Sequence, residues 1–358
     1  MADAERQVGY TVLAWLPAVV MAAVVAVDLT AGPGVGFLPL VSLGPAFAGL
    51  IGTWRRTAAT GAAALLLCAG LGAYDGLFET RRGYTAMGSV AGVTGAGVAA
   101  AVMRVGREEQ LAGVRTIAEV AQRVLLRPLP QRVGPLELAV SYDSAVAEAR
   151  IGGDLYEVVE SPFGLRVLIG DVQGKGLAAV EAAAVVLGAF REAAYDEAEL
   201  TALDARLERS ASRALDGEKF VTAVLAEIRL EDKEIVLLNR GHPAPVLVRP
   251  EGAVFADPPV YCLPLGLGLH KGPQVQPHRV PFRPGDQLLL YTDGVTEARD
   301  GGGAFYPLGE RAELLRGSDA GACVGALRAD VIRHAAGPLH DDAAMLLVRY
   351  RSQLAEGG

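Results

Sequence analysis

Polar and apolar positions follow different rules in the two parts of this chain. Residues 7–27, 29–54, 57–74 and 83–103 contain no Asp, Glu, Lys or Arg. Each is long enough to cross a hydrocarbon core of about 30 Å as a helix. Pro17, Pro39 and Pro45 lie inside these stretches, and proline is better tolerated in membrane helices than in soluble ones. Four such stretches in tandem predict an all-α four-helix transmembrane region over residues 1–104, rather than one buried core helix. Arg55 and Arg56 after the second stretch, with Arg104 and Arg107 after the fourth, mark cytoplasmic edges. Arg81 and Arg82 run against this topology, because it places their loop outside. The expectation is a multi-pass protein of the cytoplasmic membrane with both termini inside. The apolar N-terminal run reads as a retained anchor, since further spans follow it. External loops of a few residues leave no room for a folded sensor. Gly88, Gly92, Ala96 and Ala100 repeat every four residues, a face that could bring helices together within one chain or between two.

Residues 105–130 form a different segment. Leu111, Val114, Ala118, Ala121 and Leu125 recur at three- and four-residue intervals, with charged residues between them and Pro128 and Pro130 beyond. This predicts an amphipathic linker helix. Two readings stand: a helix packed on its own domain, or a parallel coiled coil that makes a homodimer and carries motion from the membrane.

From 131 to 352 the period shortens to that of strands. Leu136–Tyr142, Leu155–Glu160, Leu165–Val172, Phe220–Leu230, Glu234–Asn239, Pro245–Arg249, Gln287–Thr292 and Ala343–Tyr350 predict strands. Leu177–Ala194, Leu200–Leu215, Glu310–Leu315 and Gly321–Ala335 predict helices. Strands bunched around helix pairs, without βαβ alternation, indicate an α+β domain. The net charge of −8 gives no electrostatic footprint for nucleic acid. Cys68, Cys262 and Cys323 have no metal-ligand spacing, which fits reduced thiols in a cytoplasmic domain. Gly174-Lys175-Gly176 precedes a helix but lacks the spacing of a nucleotide-binding phosphate loop.

The chemistry lies in four aspartate-centred stretches at strand edges: Gly152-Gly153-Asp154, Gly170-Asp171-Val172, Thr292-Asp293-Gly294 and Asp341-Asp342. Each aspartate has a plain reading as a turn or capping residue. Converging, they would be oxygen ligands for a hard divalent cation, without which their clustering is costly.

These stretches, in order, resemble the motifs of the SpoIIE/RsbU-type serine/threonine phosphatases, the bacterial branch of the metal-dependent protein phosphatase 2C superfamily (PPM). The resemblance rests on Ala149-Arg150-Ile151-Gly152-Gly153-Asp154-Leu155-Tyr156, Ile169-Gly170-Asp171-Val172-Gln173-Gly174-Lys175-Gly176-Leu177 and Asn239-Arg240-Gly241-His242-Pro243. Leu263-Pro264-Leu265-Gly266, Leu290-Tyr291-Thr292-Asp293-Gly294 and His340-Asp341-Asp342-Ala343 continue it. It implies a β-sandwich flanked by helices with two Mn2+ or Mg2+ ions between the sheets. Asp171 would bridge both ions, the Val172 carbonyl and Asp154 would serve one, and Asp293 and Asp341 the other. Asp342 is a candidate additional ligand and Arg150 a candidate phosphate-binding group, against an exposed surface arginine. The resemblance further implies hydrolysis of phosphoserine or phosphothreonine by a water activated between the cations. The substrate would be a cytoplasmic phosphoprotein, with an anti-sigma-factor antagonist as one candidate. Two positions depart from the usual pattern: Glu157 stands where relatives often have Asp, and Lys175 where many have His. His242, in Gly-His-Pro, reads as a structural turn histidine rather than a proton donor. The alternative to an enzyme is a catalytically silent module that binds a partner at the membrane.

Overall fold

The computed structural model describes residues 2–31, 37–79, 81–143, 152–215, 219–267, 275–317, 319–339 and 341–351. They divide into two compact units, 1–113 and 114–358.

The first unit is helical. It contains α1 (Ala2–Ala31), a 3-10 turn at Leu38–Ser42, α2 (Leu43–Ile51), α3 (Trp54–Tyr74) and the start of α4 (Arg81–Leu125). Two helical segments, Trp54–Tyr74 and Arg81–Gln110, are long and apolar enough to cross a membrane; Trp15–Thr30 and Leu38–Ile51 are shorter. The four-span expectation is met in part, by two helices of spanning length among the described residues. The second predicted span is a 3-10 turn followed by a nine-residue helix, with Pro39 at the start of the turn and Pro45 near the start of α2, where a missing N–H costs nothing. Arg104 donates to the carbonyls of Leu50 and Gly52, the latter at 2.5 Å, closing the end of α2. The unit's core gathers Met21, Leu38, Val41, Ala64, Cys68, Ala86 and Val90. Among the described residues of α4 within this unit, Gly83, Ala86, Val90 and Ala101 are buried, while Gly88, Gly92, Ala96 and Ala100 are exposed. The small-residue face is therefore not the one that packs within this unit. Gly97 does pack: a Cβ on Gly49 would lie 2.9 Å from its Cα.

The second unit is a sandwich of two antiparallel sheets. One has the order β1-β2-β11-β10-β7-β8, from β1 (Arg132–Val133), β2 (Leu136–Asp143), β7 (Val246–Arg249), β8 (Gly252–Phe255), β10 (Gln287–Tyr291) and β11 (Ala343–Tyr350). The other has the order β3-β4-β5-β6-β9, from β3 (Asp154–Ser161), β4 (Gly164–Val172), β5 (Val221–Arg229), β6 (Glu234–Arg240) and β9 (His278–Pro281). Strand alternation sorts the side chains. Tyr156, Val167, Ile169, Val224, Leu290, Leu346 and Val348 fill the space between the sheets. Leu155, Leu168, Val172 and Leu225 face outward, onto α5 (Leu177–Asp196) and α6 (Leu200–Ala214). Leu289, Tyr291, Met345 and Leu347 pack instead with Leu308 of the short α8 (Leu308–Arg311) and with Leu327 and Val331 of α9 (Ala320–His334). The α+β sandwich flanked by helices is thus observed.

A buried ion pair fixes α5 to its sheet. Arg166 and Glu227 are directly opposite on β4 and β5, both fully buried, with Nη2 and Oε2 2.5 Å apart. The same guanidinium donates to the carbonyls of Ala194, Glu197 and Ala198, where α5 ends. Its charge and nearly all its donors are satisfied, the condition for tolerating a buried arginine.

Candidate active site at one end of the sandwich

Asp154 opens β3 and Asp171 lies near the end of β4, and the two are directly opposite in register. By alternation both face the space between the sheets. The opposite sheet contributes Thr292, just after β10, and Asp293, first residue of the short helix α7 (Asp293–Thr296). Thr292 is fully buried. Its hydroxyl donates to Asp154 Oδ2 at 2.7 Å and accepts from the Ala344 N–H at 2.9 Å. Asp342, buried, precedes β11.

Glycines make this convergence possible. A Cβ on Gly152 would overlap the Asp342 carboxylate, and one on Gly153 would overlap the Val172 carbonyl and lie 2.6 Å from Asp171 Oδ1. A Cβ on Gly294 would overlap the Asp342 carbonyl.

The acids raise one another. Burial, then the charge of Asp171, holds the Asp154 carboxyl well above the usual range, although the Thr292 hydrogen bond works against this. Burial, then Asp293, Asp341 and Asp342, pushes Asp171 up to about 7. Asp293 is raised by burial, Glu297 and Asp341. Such a cluster in a partly desolvated cleft suits a cation of opposite charge.

Of the expected site residues, Asp154, Asp171, Asp293, Asp341 and Asp342 meet at this end of the sandwich. Val172 is buried beside Gly153, to whose carbonyl its N–H donates at 3.1 Å. Asp341 is half-exposed and pairs with Lys175 Nζ at 2.6 Å. Arg150 lies outside the described residues, as do Ala149, Ile151 and His340. The donors present are carboxylate and carbonyl oxygens, the chemistry of a hard cation. Among the described residues, no three His, Cys, Asp or Glu side chains are grouped to hold one ion as they stand.

Three supports surround the acids, of which only His242 is read from its motif, as a structural turn histidine. His242 is buried, with Nε2 donating to the Tyr291 carbonyl at 3.0 Å and Nδ1 accepting from the Thr222 hydroxyl at 2.9 Å. Thr222 lies opposite Asp171 on β5, so this imidazole ties the two sheets together behind the acids. Burial lowers its pKa to about 4, and both ring nitrogens are engaged, leaving neither free for a reacting group. Gln122, near the end of α4, donates to the Tyr142 hydroxyl at 2.7 Å and the Gly152 carbonyl at 3.2 Å. Arg191 of α5 joins the Leu125 carbonyl, at 2.6 Å, to Glu157. Glu157 faces α5 on the opposite side of β3 from Asp154, away from the acids. The sequence signal for Thr292 was its place beside Asp293. Gln122 and Tyr142 carried none, because their pairing joins a helix to a strand end.

The two helix-covered antiparallel sheets share the fold of solved PP2C phosphatase domains. The SiaA-PP2C domain of Pseudomonas aeruginosa superposes with a TM-score of 0.56 at 18% identity, over 69% of this chain and 99% of that one. The PP2C phosphatase domain with a regulatory fragment of SpoIIE from Bacillus subtilis gives 0.51 at 19%, over 60% of this chain and 63% of that one. Residues 161–351 match the family described as Stage II sporulation protein E (SpoIIE), and the chain belongs to that family. It is also 23% identical over 250 residues to the phosphoserine phosphatase RsbU of Bacillus subtilis (strain 168), over 68% of this chain and 71% of that protein.

Proposed function

We propose that this chain is a membrane-anchored, metal-dependent protein serine/threonine phosphatase that hydrolyses phosphoserine or phosphothreonine on a cytoplasmic signalling protein. The observation that carries the reading is the meeting of Asp154 and Asp171 from one sheet with Asp293, Asp341 and Asp342 from the other. Family membership and the relative named as a phosphoserine phosphatase support it. Two apolar helices of spanning length support the anchor.

Asp154, Asp171, the Val172 carbonyl, Asp293 and Asp341 would hold two Mn2+ or Mg2+ ions, with Asp342 as an additional candidate. Bound there, the ions would supply the charge that lowers the pKa of a water and neutralises phosphoryl oxygens. The chain's own part is positional. Thr292 orients Asp154, the His242 cross-link keeps the two strand ends together, and the glycines admit the close approach. A partner-switching pathway, with an anti-sigma-factor antagonist as substrate, fits a signalling phosphatase of this family.

The alternative is a catalytically silent module that only binds a partner at the membrane. The two separate in one experiment. The full chain in detergent is assayed with p-nitrophenyl phosphate and a phosphoserine peptide, with and without Mn2+. Mn2+-dependent turnover that Asp171→Asn abolishes is expected. Absence of turnover, or turnover indifferent to that substitution, would sink the enzyme reading.

A further inference from the structure

Lys175 stands out because its ammonium is aimed into the acid cluster from a loop built to hold it there. The flanking Gly174 and Gly176 have φ of +101° and +85°. A Cβ on either would meet nothing within 4 Å, so glycine is needed there for backbone conformation and not for space. That conformation turns Lys175, two residues before α5, back toward Asp341, far along the sequence, and closes a 2.6 Å ion pair. The same ammonium acts electrostatically on Asp171 and Asp293. Asp341 therefore has an occupant, and its carboxylate cannot lie on that ammonium and on a divalent cation with full strength at once.

We propose that Lys175 is the resident counter-charge of the acid cluster. It holds Asp341 until a divalent cation displaces it, and so sets the cation concentration at which the site fills. This rests on the reading of the cluster as a cation site. Lysine suits the task as a compact charge on a flexible stem that can withdraw into solvent. The side chain is one-third exposed, so withdrawal requires no rearrangement of the core. Filling is then an exchange of charges within the cluster.

The test titrates Mn2+ into the full chain in detergent and reads free Mn2+ by electron paramagnetic resonance. Lys175→Met should tighten Mn2+ binding by about threefold or more, the scale on which an exposed pair acts. Lys175→Arg, which keeps the charge, should stay within about twofold of the parent. Asp171→Asn serves as the control that weakens binding through the cluster itself. If Lys175→Met binds no tighter, or Lys175→Arg tightens equally, the counter-charge role is overturned. Parent binding that Asp171→Asn weakens would still leave the cation site standing. If the parent binds no Mn2+, the cation site fails and the role of Lys175 fails with it.

Discussion

The Thr292 hydroxyl donates to Asp154 Oδ2 across the gap between the two sheets, at 2.7 Å, while accepting from the Ala344 N–H of its own sheet. One side-chain oxygen thus sets the angle of a carboxylate and completes a backbone ladder. Thr292→Val keeps the shape and removes both bonds. The buried Ala344 N–H and one Asp154 oxygen would then lack partners, a loss of about 1–3 kcal/mol each. Urea denaturation should show this loss, and turnover should fall by about tenfold or more through the misdirected carboxylate. Unchanged turnover in a destabilised variant would separate the two roles.

Asp171 predicts a pH dependence with a definite sign. Its folded carboxyl titrates near 7, against the ordinary 3.8, so the folded state holds the extra proton between those values. Stability of the metal-free chain should therefore fall as pH rises through that window. Asp171→Asn removes the titration. In chelator it should be more stable than the parent at pH 8, by on the order of 3 kcal/mol, and nearly equal at pH 4. Denaturation curves at both pH values check this, and an equal margin at both would count against it.

His242 has the opposite sign. Held neutral down to about pH 4, against 6.5 ordinarily, it contributes stability that is complete above about 6.5 and lost as pH falls toward 4. His242→Gln can still donate to the Tyr291 carbonyl but does not titrate. Its stability deficit relative to the parent should be largest near pH 7. It should shrink toward pH 4 by up to roughly 1.4 kcal/mol per unit.

Gln122 is the point where α4 touches the acid site's backbone. Gln122→Leu leaves the Tyr142 hydroxyl and the Gly152 carbonyl unpaired, at a cost of about 1–3 kcal/mol. It should lower turnover severalfold through Gly152 and Asp154. Tyr142→Phe, which leaves the Gly152 bond in place, should lose less activity. Equal losses would place the effect in Tyr142 rather than in the backbone contact.

The glycines divide sharply. Gly153→Ala would drive a methyl into the Val172 carbonyl, and Gly294→Ala one into the Asp342 carbonyl. Both should abolish measurable turnover and lower the melting temperature. Gly188→Ala, exposed on α5 with nothing within 4 Å, should raise stability by about 0.5–1 kcal/mol. Thermal melts and the phosphatase assay report all three.

The larger strands and the helices α5, α6 and α9 were legible because each buries one face and its periodicity repeats. β8 and β9 were not: Gly252–Phe255 and His278–Pro281 are four-residue edge strands with little burial, so their sequence carries no stripe. α7 is four residues long, below the length at which a helical period shows. The second charge-free stretch looked continuous because absence of charge says nothing about where helices break; Pro39 and Pro45 lie where the 3-10 turn and α2 begin. Among the site residues, Asp154, Asp171 and Asp293 could be read because glycine flanks each at a strand end. The pairing of Asp341 with Lys175 could not, since only the closed sandwich brings residues so distant in sequence together. The seam residues Leu111, Val114 and Ala118 have side chains outside the described residues, while Ala121 and Leu125 pack against Val180 of α5.

Among the described residues β11 is the last strand in sequence, yet it lies in the middle of its sheet, bonded along its length to β2 on one side and β10 on the other. A ribosome must therefore finish almost the whole catalytic unit before β2 and β10 acquire their shared neighbour. Until then Thr292 lacks the Ala344 partner, and Asp341 and Asp342 have not yet been synthesised. An unfinished or prematurely stopped chain would thus lack two acids of the proposed cation site, which can close only after synthesis has passed β11.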